Sequence, residues 1–252
     1  MNKFSISFLV LLLTALTFTP GCKKLSSDTS LLVLNVRCNF GSDSLSFGKS
    51  YLKATGDSIS FSRATFYISG IVLNSAAGGS VSVPGYFLIT PSTGADIIAG
   101  NVPIGTYNSI SFNVGIDRAV NDGASAAYTS GSLSSQTPVM HFSTDAQGYI
   151  FMAVEGKIDS AANGASPDKS FSYHIGSDAL LQTVNLPDHS VAPYTAFVAT
   201  GTQVVKVNLV ADFSKLLQTV NVSANTITNT YDNTVLADSI AANIPGMFSY
   251  QN

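Results

Sequence analysis

The 252-residue chain contains no tryptophan, and only 11% of its residues are charged. Ordinary soluble domains carry about 25%, so Ser, Thr, Asn and Gly supply much of the polar surface here. Twelve Lys and Arg stand against fifteen Asp and Glu, a net charge of −3. No basic cluster exists to neutralise phosphates, which argues against nucleic acid as a partner. Cysteine is equally scarce. Cys22 and Cys38 are the whole supply, and no C-x-x-C pair is present, which excludes a disulfide framework and a four-thiolate zinc site. G-x-S-x-G, H-E-x-x-H and a phosphate-cradling glycine loop are also missing. Carboxylates are scattered; Asp145 and Glu155 lie at two ends of one turn–strand unit and do not suggest an acid–base pair. Nothing in the sequence favours an enzyme.

The one long apolar run is N-terminal, in "MNKFSISFLVLLLTALTFTPGCKK". Lys3 precedes an apolar core, Phe8 to Leu16, that is too short to span a bilayer as a helix. Thr19-Pro20-Gly21 and then Cys22 follow, the pattern of a secretory signal cleaved before a cysteine. Cys22 resembles the cysteine of a bacterial lipobox, although Thr19 stands where Leu is usual; simple secretion is the alternative. Acylation would remove an exposed thiol from an oxidising space. The expected organisation is therefore a signal peptide over 1–21, a lipid-anchored tether over 22–30 and a β domain over 31–252. That puts the protein in the cell envelope, held to a bacterial membrane, periplasmic or surface-exposed.

Past the tether, alternation of apolar and polar residues dominates. In "LLVLNVRCNF" Leu32, Leu34, Val36, Cys38 and Phe40 share one strand face, with Asn35 and Arg37 on the other. Cys38 reads as a small buried hydrophobe, with a soft metal ligand as the alternative. Residues 57–74 predict two strands with a bend at Ser69-Gly70, and 85–90 a short strand closed by Pro91. A Pro–Gly turn opens 102–117, where Ile110, Phe112, Val114 and Ile116 share a face. Residues 118–138 form a long loop, and loops of that length are usually functional or disordered. Strands follow at 148–158, 169–176 and 202–213; in the second, Phe171, Tyr173 and Ile175 face the core and His174 faces away. Only "TVLADSIAANI" has helical spacing, through Val235, Leu236, Ile240 and Ile244. The fold class is all-β, an antiparallel β-sandwich or barrel-like domain with one short C-terminal helix.

Few residues could hold a ligand. Asp117, Asn121 and Asp122 in "GIDRAVND" could offer calcium oxygens, but their spacing suits turn residues bonding the backbone better. Of the three histidines, His189 sits between two prolines and reads as an exposed loop residue. His141 precedes a turn before the "GYIFMAVEG" strand, and His174 lies on the neighbouring strand. If those strands pair, the two imidazoles approach each other at one end of the sandwich, leaving His189 apart. Two imidazoles and a soft third ligand such as Met140 suit copper.

The stretches "VRCNFGSDSLSFGKSY", "SISFSRATFYISGIVL", "VPIGTYNSISFNVGID", "GYIFMAVEG", "FSYHIG" and "SIAANIPGMF" resemble, in order, the signatures of the MbnP-like copper-binding family. The similarity spans about residue 31 to the end. It implies secretion or lipid anchoring, an all-β domain, a copper site in at least some members, and a diheme peroxidase-like partner that oxidises a tryptophan into a metal ligand. Family members commonly carry tryptophan in the stretch that here reads "MHFSTDAQGY"; this chain has Phe142 there, so no kynurenine ligand can form. The tail, often ending in histidine, reads "MFSYQN". His141 and His174 are the metal ligands the resemblance leaves, in a depleted constellation. The alternative is a non-metal surface lipoprotein that uses the 118–138 loop to hold a protein or glycan.

Overall fold

The computed structural model describes residues 28–91, 96–134, 139–161, 163–164 and 166–251. The signal segment, Cys22 and the tether up to residue 27 lie outside them. Fourteen strands follow in chain order among the described residues. The first seven are β1 (Thr29–Phe40), β2 (Asp43–Ser44), β3 (Ser50–Leu52), β4 (Ser58–Ser75), β5 (Ser80–Ile89), β6 (Asp96–Pro103) and β7 (Gly105–Val114). The others are β8 (Ile150–Ile158), β9 (Lys169–Gly176), β10 (Gln182–Asn185), β11 (Phe197–Ala199), β12 (Val205–Asp212), β13 (Ile227–Thr228) and β14 (Phe248–Tyr250). Two single-turn helices, α1 (Arg118–Asn121) and α2 (Phe213–Leu216), precede the longer α3 (Thr234–Asn243).

The strands form two sheets. One runs β14-β12-β1-β2 with β6 also on β1; the other runs β10-β7-β4-β8-β9-β13, with β11 on β7 and with β3 and β5 on β4. Period-2 alternation makes these strands, and the predicted faces hold. Leu32, Leu34, Val36, Cys38 and Phe40 are buried together with Val205, Val207 and Leu209 of β12. They meet Ile110, Phe112 and Val114 of β7 and Phe171, Tyr173 and Ile175 of β9 in one core between the sheets. Burial pushes the Cys38 thiol up to about 12, so it stays protonated and packs as a hydrophobe.

Three local expectations change. Two pairings, β1 with β12 and β9 with β13, are parallel. Strands brought together after long excursions are free of the hairpin constraint that imposes antiparallel order. Ser69-Gly70 does not separate two strands: β4 is a single 18-residue strand, and Gly70 at φ 55° takes up a bulge against β5 and β7. On α3, capped by the Asn233 side chain accepting from Leu236 N, the buried residues are Leu236, Ala237, Ile240 and Ala241, with Ile244 just beyond. Val235 is 75% exposed. It sits in the first turn, rotated off the face that packs on β9 and α2.

β8 positions the site. Ile150, Phe151, Met152, Ala153 and Val154 are all buried, so this strand is covered on both faces. Met152 and Val154 point into the inter-sheet core. Ile150, Phe151 and Ala153 belong to a second apolar cluster with Tyr67, Ile116, Leu133, Met140 and Tyr149. The cover on that outer face is the irregular chain between β7 and β8.

Candidate functional site

Among the described residues the cover has a single isolated bridge, between His141 and Tyr149, in place of a ladder, and side chains tie much of it down. Asp117 caps α1 by accepting from Ala119 N at 3.1 Å, and the Tyr86 hydroxyl donates to the same carboxylate. Asn121 is buried; its Oδ1 accepts from Tyr149 N at 2.8 Å and its Nδ2 donates to Asp178 Oδ1 at 2.8 Å. Gly148, at φ 69°, is needed beside it, since a Cβ there would stand 2.3 Å from Asn121 Oδ1. Asp122 pairs with Arg118 at 3.1 Å. The three oxygen-bearing residues of "GIDRAVND" are thus engaged by caps and ties. From the sheet, the Tyr67 hydroxyl donates to Ser132 O at 2.8 Å and the Tyr149 hydroxyl to Leu133 O at 3.0 Å. Burial raises both phenols above their ordinary range, so they act as neutral donors and not as phenolate ligands.

Under this cover lies a cavity of about 770 Å³ whose walls include Tyr67, Tyr128, Met140, His141, Asp145 and Tyr149. His141 forms an isolated bridge with Tyr149, and its ring meets the Tyr149 ring edge-on at 4.8 Å. Its Nδ1 lies 2.6 Å from Phe142 O. A carbonyl can only accept, so Nδ1 carries a proton, and Nε2 is the ring nitrogen left to face the cavity. That Nε2 is buried and has no hydrogen-bond partner among the described residues. Asp145 Oδ1 stands 3.6 Å away. Hydrogen bonds from the Ser125 hydroxyl and backbone N–H hold the Asp145 carboxyl below the usual range.

His174 has a different setting on the same outer face. β8 and β9 pair as expected, and Gly176 opposite Ile150 puts both histidines toward one end of that pair. The His174 Nε2–H donates to Glu155 Oε1 at 2.7 Å, and Arg63 Nη1 donates to the same oxygen at 2.9 Å. Arg63 Nη2 donates to Val139 O at 2.7 Å and to Met140 Sδ at 3.0 Å. Burial opposes the Glu155 charge, yet the hydrogen bonds from His174 and Arg63 keep its carboxyl below the ordinary value. A fixed guanidinium therefore already satisfies the donors a cation near His174 and Met140 would use. Among the described residues, no group of three or more His, Cys, Asp or Glu side chains could hold a metal ion. Beside His141 Nε2 stands the Asp145 carboxylate, whereas His174 Nε2 is engaged with Glu155.

His189 is not the exposed loop residue its prolines suggest. Its ring stacks on Tyr194 at 4.6 Å and Phe197 at 4.3 Å, meets Tyr250 edge-on, and its Nδ1 donates to Thr195 O at 2.6 Å. Sequence reasoning also passed over Arg63, Tyr67, Tyr128 and Tyr149. One signal was available for the first: a lone Arg in an apolar strand and Glu155 at the end of another suggest a cross-strand pair.

The chain is a two-sheet β domain with a tyrosine-walled cavity beneath irregular chain. The MbnP family model matches residues 29–235, and the chain belongs to the MbnP family. Among solved structures it is similar to MbnP from Methylosinus trichosporium, at 14% identity and a TM-score of 0.51, over 77% of this chain and 80% of that one. At that identity the likeness is one of fold. No curated protein sequence matches the chain.

Proposed function

We propose that this protein is a lipid-anchored, extracytoplasmic copper-binding protein whose metal-facing group is His141. Family membership supports the class. The observation that carries the site is the buried His141 Nε2, which has no hydrogen-bond partner among the described residues and lines a cavity beside Asp145. A buried nitrogen left without a partner is costly, and a metal ion would satisfy it. His141 would hold copper through Nε2, with Asp145 as the nearby carboxylate. Bound copper would supply a redox-active Lewis acid. The chain's own contribution is to fix the tautomer through Phe142 O.

One imidazole and one carboxylate make a small donor set, so the site binds weakly. In this reading His174, the second nitrogen the family resemblance implies, is first a partner of Glu155 and contributes little to the metal. The diheme peroxidase-like partner that the resemblance implies would find no tryptophan to oxidise in this chain. Calorimetry with Cu(II) tests the site. Uptake should be lost in His141→Ala, fall a few-fold at most in His174→Ala, and persist in His189→Ala. Equal uptake by wild type and His141→Ala would refute it. The anchor is tested by Cys22→Ala, which should move the protein from the membrane fraction to the soluble one and abolish labelling by a fatty-acid analogue.

One observation favours a second reading. A cavity of about 770 Å³ is far larger than an ion needs and lies within the range of small-molecule sites. A rise in melting temperature with a small aromatic or glycan ligand, and none with copper, would select that reading.

A further inference from the structure

Ile104, Val198 and Val204 are large aliphatic side chains more than half exposed. They come from the turn between β6 and β7, from β11 and from the residue before β12. Backbone geometry gathers all three around the start of β1. Ile104 N donates to Asp28 O at 3.0 Å, Gly201 N donates to Ser30 Oγ at 2.9 Å, Val205 pairs with Leu32, and Val198 pairs with Thr106. The chain around these residues, "GNVPIGT" at 100–106 and "VATGTQV" at 198–204, contains no charged residue. The nearest cation along β12, Lys206, is paired with Asp96 at 2.8 Å. This end of the sandwich therefore gathers three exposed aliphatic side chains beside Asp28; Leu52, Val191, Ile227 and Val235 are exposed apolar side chains elsewhere on the domain.

It is also the end from which the N-terminal segment leaves. Six residues after Cys22 the chain reaches Asp28, a distance of at most about 21 Å if fully extended. Lys23 and Lys24 follow the cysteine directly, where anionic headgroups would attract them. We propose that this end is a membrane-docking face, with Ile104, Val198 and Val204 resting in the headgroup layer of the bilayer that holds the acyl chains of Cys22. The occupant is the lipid surface, and the inference rests on the lipid-anchor reading. A patch this small would not bind a bilayer alone, but a short tether keeps it at a high local concentration against the surface.

The orientation has a functional consequence. β7 starts at Gly105 beside the docking face and ends at Val114, next to Ile116 in the wall of the second cluster. Ten residues of strand rise about 30 Å, so the His141 cavity stands at the far end, clear of the headgroups.

The test places a single environment-sensitive label on the full acylated protein through Ile104→Cys, Val204→Cys or, at the cavity end, Ala146→Cys. Cys38 is buried, with its thiol pushed up to about 12, and stays unlabelled. The samples are reconstituted into phosphatidylethanolamine–phosphatidylglycerol vesicles carrying nitroxide lipids, and Cys22 acylation is checked by mass on the same material. The expected result is quenching several-fold stronger at 104 and 204 than at 146. Equal quenching at all three positions, with Cys22 acylated, overturns the docking face and leaves the anchor standing. An unmodified Cys22 overturns the anchor and the docking face together. Labels at 104 and 204 already buried in detergent without vesicles would mean that another protein copy covers this end, which also refutes the proposal.

Discussion

Between the sheets, Phe61, Phe66, Phe112, Phe171, Phe213 and Phe248 pack edge to face on one another among branched aliphatics and regular ladders, with the hydroxyls of Tyr51, Tyr107, Tyr173 and Tyr250 donating to backbone carbonyls. On the outer face of β8 the aromatic residues are mostly tyrosines, and their hydroxyls hold carbonyls of a chain that has no ladder. The first region is filled, while the second encloses a cavity and borders an Arg63–Glu155–His174 network. The contrast follows from backbone accounting. Regular strands satisfy their own amides and can bury pure hydrocarbon, whereas an irregular cover must borrow donors from side chains. Borrowed donors leave room and polarity, which is what a binding site needs.

The contrast can be broken most directly from the filled side. Phe66 is fully buried against Phe213 and Phe248. Phe66→Ala should cost about 3–5 kcal/mol of global stability in urea unfolding. A cost under about 1 kcal/mol would mean that the inner core is no better packed than the outer one.

Arg63→Met should cost about 2 kcal/mol, less than a fully buried pair because Glu155 is 31% exposed. It removes the donors to Val139 O and Met140 Sδ, so proteolysis within the cover before β8 should accelerate more than global unfolding does. Parallel changes in both rates would show that cover and core unfold as one unit.

Glu155→Gln sharpens the comparison through pH. The folded carboxyl titrates below its ordinary value of 4.5, so its stabilisation is fully present above that value and is lost as pH falls through the folded value. Wild type should exceed Glu155→Gln by about 1 kcal/mol at neutral pH, a modest figure for a part-exposed group. The gap should close in acid as pH falls through the folded value. A gap independent of pH would assign the effect to shape instead of charge.

The smallest expected stability change is at the site itself. His141→Ala removes an imidazole whose Nε2 has no hydrogen-bond partner among the described residues, and should alter stability by less than about 1 kcal/mol. His189→Ala should cost at least as much, because its ring is stacked on Tyr194 and Phe197. Differential scanning calorimetry of the two variants distinguishes a ligand-facing histidine from a packing one.

The sequence by itself determined the strand faces. Leu32 to Phe40, Ile110 to Val114 and Phe171 to Ile175 all bury the side that alternation predicts, because a pleated strand turns every second residue to one face. It also determined that His174 points off the inner core. Alternation names a face and not the neighbour on it, so other features waited for the tertiary structure. Only register set Arg63 opposite Glu155 and brought His174 within reach of the same oxygen. Only topology ran β12 parallel to β1. The segment from 116 to 149 has no period to read, so its place over the outer face, and the buried nitrogen it leaves on His141, was decided by which carbonyls the sheet's tyrosines could reach.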